Sequence, residues 1–174
     1  MDFWQVVEAR ASVREFDPSV GVPPEILERI LQVAIRAPSA GNRQPWHFYV
    51  VRDPAIRRGL AAAAYGQEFV AQAPVAIVVC ADAEQSAGRY GQRGRELYCL
   101  QDTAAAVEHI LLAVVASGLG GCWVGAFDEQ QAARVLNLPH RHRPVAILPI
   151  GKPAGMPGRH TPRQPLHAVV SYVG

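Results

Sequence analysis

Two stretches concentrate side chains able to grip a polar ligand. The first is Arg10-Ala11-Ser12-Val13-Arg14-Glu15-Phe16. In an extended chain alternate residues point to opposite sides, so Arg10, Ser12 and Arg14 share one side, and Ala11 and Val13 the other. Guanidinium groups bind phosphate through forked, charge-assisted hydrogen bonds. The pattern reads as an anion grip or, alternatively, as a solvated polar edge. The second stretch is Ala37-Pro38-Ser39-Ala40-Gly41-Asn42-Arg43-Gln44-Pro45-Trp46. Its two prolines bias the residues before them away from helix. Ser39, Asn42 and Gln44 both donate and accept hydrogen bonds, and Arg43 adds a cation. This stretch suits a polyhydroxylated ligand, or is a Ser/Asx turn that stops a helix.

Other chemistries are weakly represented. Gly118-Leu119-Gly120-Gly121 suggests a dinucleotide fingerprint, but Trp123 stands where the third glycine belongs and the run follows a helix rather than a strand, so a Rossmann site is rejected. No CxxC, HExxH or Cys/His cluster predicts a metal site, and no catalytic triad is legible. His140-Arg141-His142-Arg143 is a dense basic cluster without carboxylates or cysteines and reads as a solvated loop. Cys80, Cys99 and Cys122 each fall in or beside apolar runs, as expected of buried thiols in a reducing compartment.

The elements that must position these residues follow from periodicity. A short helix with Phe3, Val6 and Val7 ends near Arg10. Pro23-Pro24-Glu25 opens a second helix with a wide apolar stripe from Ile26 to Ala37. Trp46 to Val51 is a strand, and Asp53-Pro54 caps a helix through Leu60. Pro74 to Cys80 is apolar throughout, as for a strand buried on both faces. Ala83 to Arg95 is polar and glycine-dotted and reads as an excursion or lid. Glu96 to Ser117 is the longest helix, apolar nearly all round in its second half except for Glu108 and His109. Cys122 to Val124 reads as a strand, Asp128 caps a helix containing Ala132 and Val135, and Pro144 to Gly151 is another strand. Leu166 to Val173 reads as a terminal extended segment that pairs in the sheet or reaches over a partner subunit.

The chain has 174 residues, nearly half of them apolar, and a net charge of +2. One domain spanning 1–174 is expected, with no field strong enough to attract nucleic acid or an anionic membrane. No leader is visible, and polar residues interrupt every apolar run before it reaches the length of a membrane span. The cytoplasm is the expected compartment.

Taken in order, Arg10-x-Ser12-x-Arg14-x-Phe16, Pro38-Ser39-x-x-Asn42-x-Gln44-Pro45-Trp46, Ala73-Pro74, Gly118-Leu119-Gly120, Trp123-x-Gly125-x-Phe127 and Pro162-Arg163-x-Pro165-Leu166 resemble the nitroreductase family of FMN-dependent oxidoreductases. The resemblance covers nearly the whole chain. It implies an α+β fold, a mixed central sheet flanked by helices, and an intertwined homodimer built on a long central helix, with FMN at the subunit interface. Matched by position, Arg10, Ser12 and Arg163 resemble the phosphate and ribityl grip. Pro38, Ser39 and Asn42 would approach the flavin from the other subunit. Gly125 and Ala126 match the segment whose backbone N–H faces flavin N5, and Gln67 the residue that reads the pyrimidine edge. Arg14 would stabilise charge at flavin N1 and C2=O. Two departures stand out. Much of the insertion before the long helix is missing, and Thr161 occupies a position where some members carry a second basic residue, which shifts weight to Arg10 or Arg159.

The activity implied is passage of electrons from NADH or NADPH through FMN to a small-molecule acceptor such as a nitroaromatic or quinone, by a ping-pong route that needs no catalytic side chain. Tyr65, Phe69, Tyr90 and Tyr98 are candidate pocket aromatics, and Arg89, Arg93 and Arg95 candidate partners for the 2′-phosphate of NADPH. The alternatives are a flavin-fragmenting, dehalogenating or dehydrogenating relative on the same scaffold, a flavin-storage protein without turnover, and a structural homodimer lacking a cofactor.

Overall fold

The strand β2 (Val75–Asp82) is the axis of the fold, and all its residues are buried. In the computed structural model, which describes residues 1–155 and 161–174, β2 pairs antiparallel with β1 (Trp46–Val51) and with β4 (His142–Gly151). The two-residue β3 (Gly120–Gly121) completes the sheet, in the order β1-β2-β4-β3. Among the described residues, the parallel contribution to this sheet is the bridge between Ser12 and Gly121. Arg159, considered above as a phosphate contact, lies outside the described residues.

Residues of β2 alternate between two helical layers. Val75, Ile77 and Val79 pack with residues of α2 (Pro24–Ala34) and α6 (Cys99–Ala116), including Ile30, Val107, Ile110 and Val114. Ala76, Val78 and Cys80 face α3 (Pro54–Ala63), α4 (Phe69–Gln72) and α7 (Glu129–Leu136) through Leu60, Val70 and Ala132. Both faces of this antiparallel sheet are therefore covered, which is why its central strand reads as continuously apolar rather than alternating. The helix starts follow from local chemistry. Asp53 accepts hydrogen bonds from the N–H groups of Ala55 and Ile56, Asp128 accepts from Gln131, and prolines occupy the first turns of α2 and α3.

Three expectations are corrected. Ala83 to Arg95 is not a loose excursion: α5 (Ala83–Arg93) is capped by Asp82, breaks at Gly91 (φ 56°), and continues as a π-helical turn, Gly94–Tyr98, into α6. Its low apolar content hid a helix that folds back on itself, and a Cβ on Gly94 would stand 2.6 Å from the Ser86 carbonyl oxygen. The strand expected at Cys122 to Val124 falls instead on Gly120–Gly121, with Val124 making only an isolated bridge to Ile147. Glycines close to the sheet edge gave no propensity signal there. Finally, the helical run Ala83–Ala116 is, by length and composition, long and apolar enough to cross a bilayer. Its Ala106, Val107, Ile110 and Val114 are buried in the protein core.

The short helix α1 (Phe3–Ala9) ends at Arg10, and the chain then runs along the far edge of the sheet. There Val13 N–H donates to the Gly121 carbonyl, and Phe16 bridges Pro153. Glycine is required on the sheet side of this contact. A Cβ on Gly120 would lie 2.6 Å from Val13 Cγ2, and one on Gly151 would lie 2.6 Å from Pro74 Cδ and 3.0 Å from Phe16 Cδ1. Gly151→Ala should therefore lower unfolding free energy by about 1–3 kcal/mol, the usual cost of overpacking a rigid seat. Denaturant titration reads this directly, and a variant as stable as the wild type contradicts the seating.

Candidate functional site

Seating Val13 in the core sets the direction of the residues on either side of it. Val13 and Phe16 are buried, Arg10 is half-buried, and Ser12 and Arg14 are exposed. The side assignment anticipated from the sequence holds from Arg10 to Arg14 without a regular strand and breaks at Phe16, which shares their parity yet is buried. Ser12 bridges to Gly121, next to the buried thiol of Cys122. Burial pushes the Cys122 thiol up, while Arg14, a side-chain hydrogen bond with Ser12, and Arg10 pull it the other way.

Two further segments join this edge. The Arg14 guanidinium carbon lies 5.8 Å from the centroid of the Phe69 ring, within cation–π range. Gln67 Nε2 donates to the carbonyls of Ala64 (3.0 Å) and Ala126 (3.1 Å). Gln67 therefore braces the turn after Val124, and its amide oxygen is the end left for a ligand. Gly125 and Ala126 are exposed, and among the described hydrogen bonds neither backbone N–H has a partner. A Cβ on Gly125 would meet nothing nearer than Trp123 Nε1 at 3.8 Å. Exposed N–H donors without partners suit a ligand that accepts hydrogen bonds.

Pro38, Ser39 and Asn42 belong to a separate locus. The loop forms one 3-10 turn, Ala40–Asn42, with left-handed backbone at Gly41, Asn42 and Gln44. Ser39 Oγ accepts from Gln44 N–H at 2.9 Å. Arg43 Nε donates to the Gln85 carbonyl (2.8 Å) and Gln85 Nε2 donates to the Arg43 carbonyl (3.1 Å), so the loop is tied to α5. Among the described residues, no hydrogen bond or ion pair within one chain joins this loop to the arginine segment. Arg163 is likewise apart. Its Nη1 donates to the Thr161 carbonyl and hydroxyl at 2.9 and 2.8 Å, in a tail exposed from 161 to 174. That tail contains one 3-10 turn, Leu166–Ala168, rather than an extended segment paired in the sheet.

Sequence reasoning missed Asp102. This carboxylate is buried on α6; its Oδ1 accepts from Ala40 N–H at 3.1 Å while Oδ2 has no partner. An acid in the first turn of an apolar helix was the available signal. In the basic cluster after Pro139, His140, Arg141 and Arg143 are exposed as expected, but the cluster runs into β4 rather than forming only a loop, and its cations are paired: Arg141 with Asp82, and Arg143 forked onto Glu129. His142 stacks on His47 with ring centroids 4.4 Å apart and meets Tyr49 Oη at 2.6 Å. Burial, then His47, lowers the His142 pKa. All three cysteines are buried and free, with Cys80 pushed up to about 12 by burial.

Burial also raises the Asp102 carboxyl above its ordinary 3.8, against the opposing hydrogen bond from Ala40. The folded protein then holds this proton to higher pH than the unfolded chain does. The favourable contribution is present below the unfolded value and is lost as pH rises through the folded one. Asp102→Asn keeps an acceptor for Ala40 N–H and removes the titration. Its stability relative to wild type should therefore climb as pH rises above the ordinary aspartate value of 3.8 in urea titrations; a constant difference contradicts this.

The nitroreductase family model matches residues 7–67 and 61–152. The chain is 34% identical over 192 aligned positions to an NADH dehydrogenase of Thermus thermophilus, covering 92% of this chain and 91% of that protein. A nitroreductase family protein from Clostridium novyi NT superposes with a TM-score of 0.81 at 32% identity, covering 92% of this chain and 89% of that one. A protein from Exiguobacterium sibiricum 255-15, solved in complex with FMN, superposes with a TM-score of 0.91 at 24% identity over 99% of this chain and 98% of its own. With the family model spanning most of the sequence and a relative above 30% identity along nearly all of it, this chain belongs to the nitroreductase family.

Proposed function

We propose that this chain is a single-domain, FMN-dependent oxidoreductase that takes electrons from NADH or NADPH and delivers them to a small organic acceptor, a nitroaromatic or quinone. The observation that carries this reading is the exposed edge that bears Arg10, Ser12 and Arg14, pinned to Gly121 by the Ser12 bridge and the Val13 N–H, together with the exposed N–H groups of Gly125 and Ala126 that lack partners among the described hydrogen bonds. Those groups fit FMN, which presents a phosphate, a polyhydroxylated chain and a flat ring with hydrogen-bond acceptors along one edge. Bound FMN would supply hydride acceptance from the nicotinamide and electron delivery to the acceptor. Arg10 and Ser12 would hold the phosphate and ribityl chain. Arg14, on the face of Phe69, would place a fixed cation at the N1/C2=O side, and Gly125–Ala126 would present N–H donors toward N5. No side chain need act as nucleophile or base; the protein orients its ligands and sets the local potential.

We further propose that the working unit is a homodimer. Within one chain, no hydrogen bond or ion pair among the described residues joins the Ser39–Asn42 loop or Arg163 to the arginine edge, so a second copy is the simplest source of the missing half. Apolar surface supports this. Trp4 is 73% exposed, Leu166 70% and Tyr172 92%, more than an isolated domain usually leaves in water when such residues fall on terminal elements. Arg163 would then reach the partner's phosphate site as the tail wraps across. Buried free thiols suit the cytoplasm.

The purified protein should be yellow, and anaerobic NADH or NADPH should bleach it in stopped flow. Arg14→Gln should slow that bleaching by about tenfold, the equivalent of ~1.4 kcal/mol of lost charge stabilisation. A protein that stays colourless in excess FMN, or flavin that neither nicotinamide bleaches, overturns the reading.

A further inference from the structure

The cations of the α5 region divide into two groups. Arg43 is held by the Gln85 carbonyl, and Arg95 is forked onto Glu84, with Nη2 to Oε2 at 3.0 Å. Glu96 in turn accepts from Gln92 at 2.8 Å. The acids on this helix are therefore engaged on one flank. Arg89 and Arg93 are different: among the described residues neither forms an ion pair. Arg93 Nε donates to the neutral Tyr98 hydroxyl at 2.8 Å, and its guanidinium lies 5.2 Å from that ring. The Arg89 guanidinium lies 5.6 Å from the Tyr90 ring, and the two tyrosines meet edge to face at 5.2 Å. Gly91, with φ 56°, breaks the helix between the two arginines and allows the π-helical turn to bring Tyr98 back against Tyr90.

This cation–aromatic cluster sits on the loop that carries Ser39 and Asn42. A Cβ added to Gly41 would strike the Tyr90 hydroxyl and would stand 3.1 Å from Arg89 Nη1 and 3.3 Å from Arg89 Cδ. Glycine at 41, already in a left-handed conformation, is what lets Arg89 and Tyr90 rest on the loop backbone. An arginine laid on an aromatic face without a carboxylate keeps its forked donors available to an incoming anion. Arg95, by contrast, has its fork occupied and drops out as a ligand for the 2′-phosphate.

We propose that Arg89 and Arg93, supported by Tyr90 and Tyr98, bind the anionic end of the substrate lying on the flavin. That anion is the 2′-phosphate of the nicotinamide donor or the carboxylate of an aromatic acceptor. The inference rests on the reading above that the Ser39–Asn42 loop lies against FMN. It adds selection for charged over neutral substrates.

The test compares wild type, Arg89→Gln, Arg93→Gln and the charge-keeping Arg89→Lys as flavin-loaded proteins. One arm sets NADPH against NADH in the bleaching reaction; the other sets 4-nitrobenzoate against neutral 4-nitrobenzyl alcohol as acceptor. The glutamine variants should lower kcat/KM for the charged member relative to its neutral or less charged counterpart by about tenfold in one arm, with lysine restoring part of it, and the arm that moves identifies the anion. Equal ratios in all proteins, with flavin bound and bleached normally, overturn this inference and leave the proposed function standing. Wild type that binds no flavin overturns both.

Discussion

The site depends on one steric constraint: a polar, arginine-bearing segment has to lie flat on the edge of a hydrophobic sheet. Val13 and Phe16 achieve this by entering seats that exist only because residues 120 and 151 are glycine. With Val13 buried, the two-residue alternation of extended chain turns Ser12 and Arg14, and Arg10 on the same parity, outward; Phe16 reaches its seat by departing from that alternation, its neighbour Glu15 being exposed. The binding edge is therefore fixed by core packing rather than by hydrogen bonds among the polar residues themselves. The side chains that would meet a ligand need give up none of their own capacity to hold their positions.

A second group of contacts does the same for the loop. Asp102, rooted in the buried face of α6, holds Ala40, and the reciprocal pair Arg43–Gln85 ties the loop to α5. The long helix thus serves two ends at once, filling the core beneath the sheet with Val107, Ile110 and Val114 and presenting a carboxylate from its first turn to a surface loop. Burial of that carboxylate with one oxygen unpartnered has an electrostatic cost, which is consistent with the raised pKa of the group.

Much of this was legible in the sequence where one physical signal dominates. Asp53-Pro54 and Asp128 announced helix starts because capping is local, and the run from Val75 announced a doubly covered strand because nothing polar interrupts it. The alternation from Arg10 to Arg14 gave the side assignment correctly even though the segment pairs only through isolated bridges; Phe16, buried on the same parity, departs from it. What was lost was information carried by tertiary contact. The α5 segment was hidden by its glycines, one of which bends the helix and another of which fits against Ser86. The short strand at Gly120–Gly121 was hidden because its residues are there for lack of side chains. Asp102, and the pairing of Arg141 and Arg143 with acids distant in sequence, could not be read from spacing alone.

On the proposed reading each chain carries half of a site: an arginine edge and the N–H donors of Gly125 and Ala126 in one part, and a braced polar loop and Arg163 in another. Two copies related so that each lends its loop and tail to the other would complete two equivalent sites. Native mass spectrometry of the purified protein after FMN loading tests this most directly. The account predicts a dimer carrying two FMN molecules, with flavin lost when the dimer is dissociated. A monomer that retains FMN on its own would contradict it.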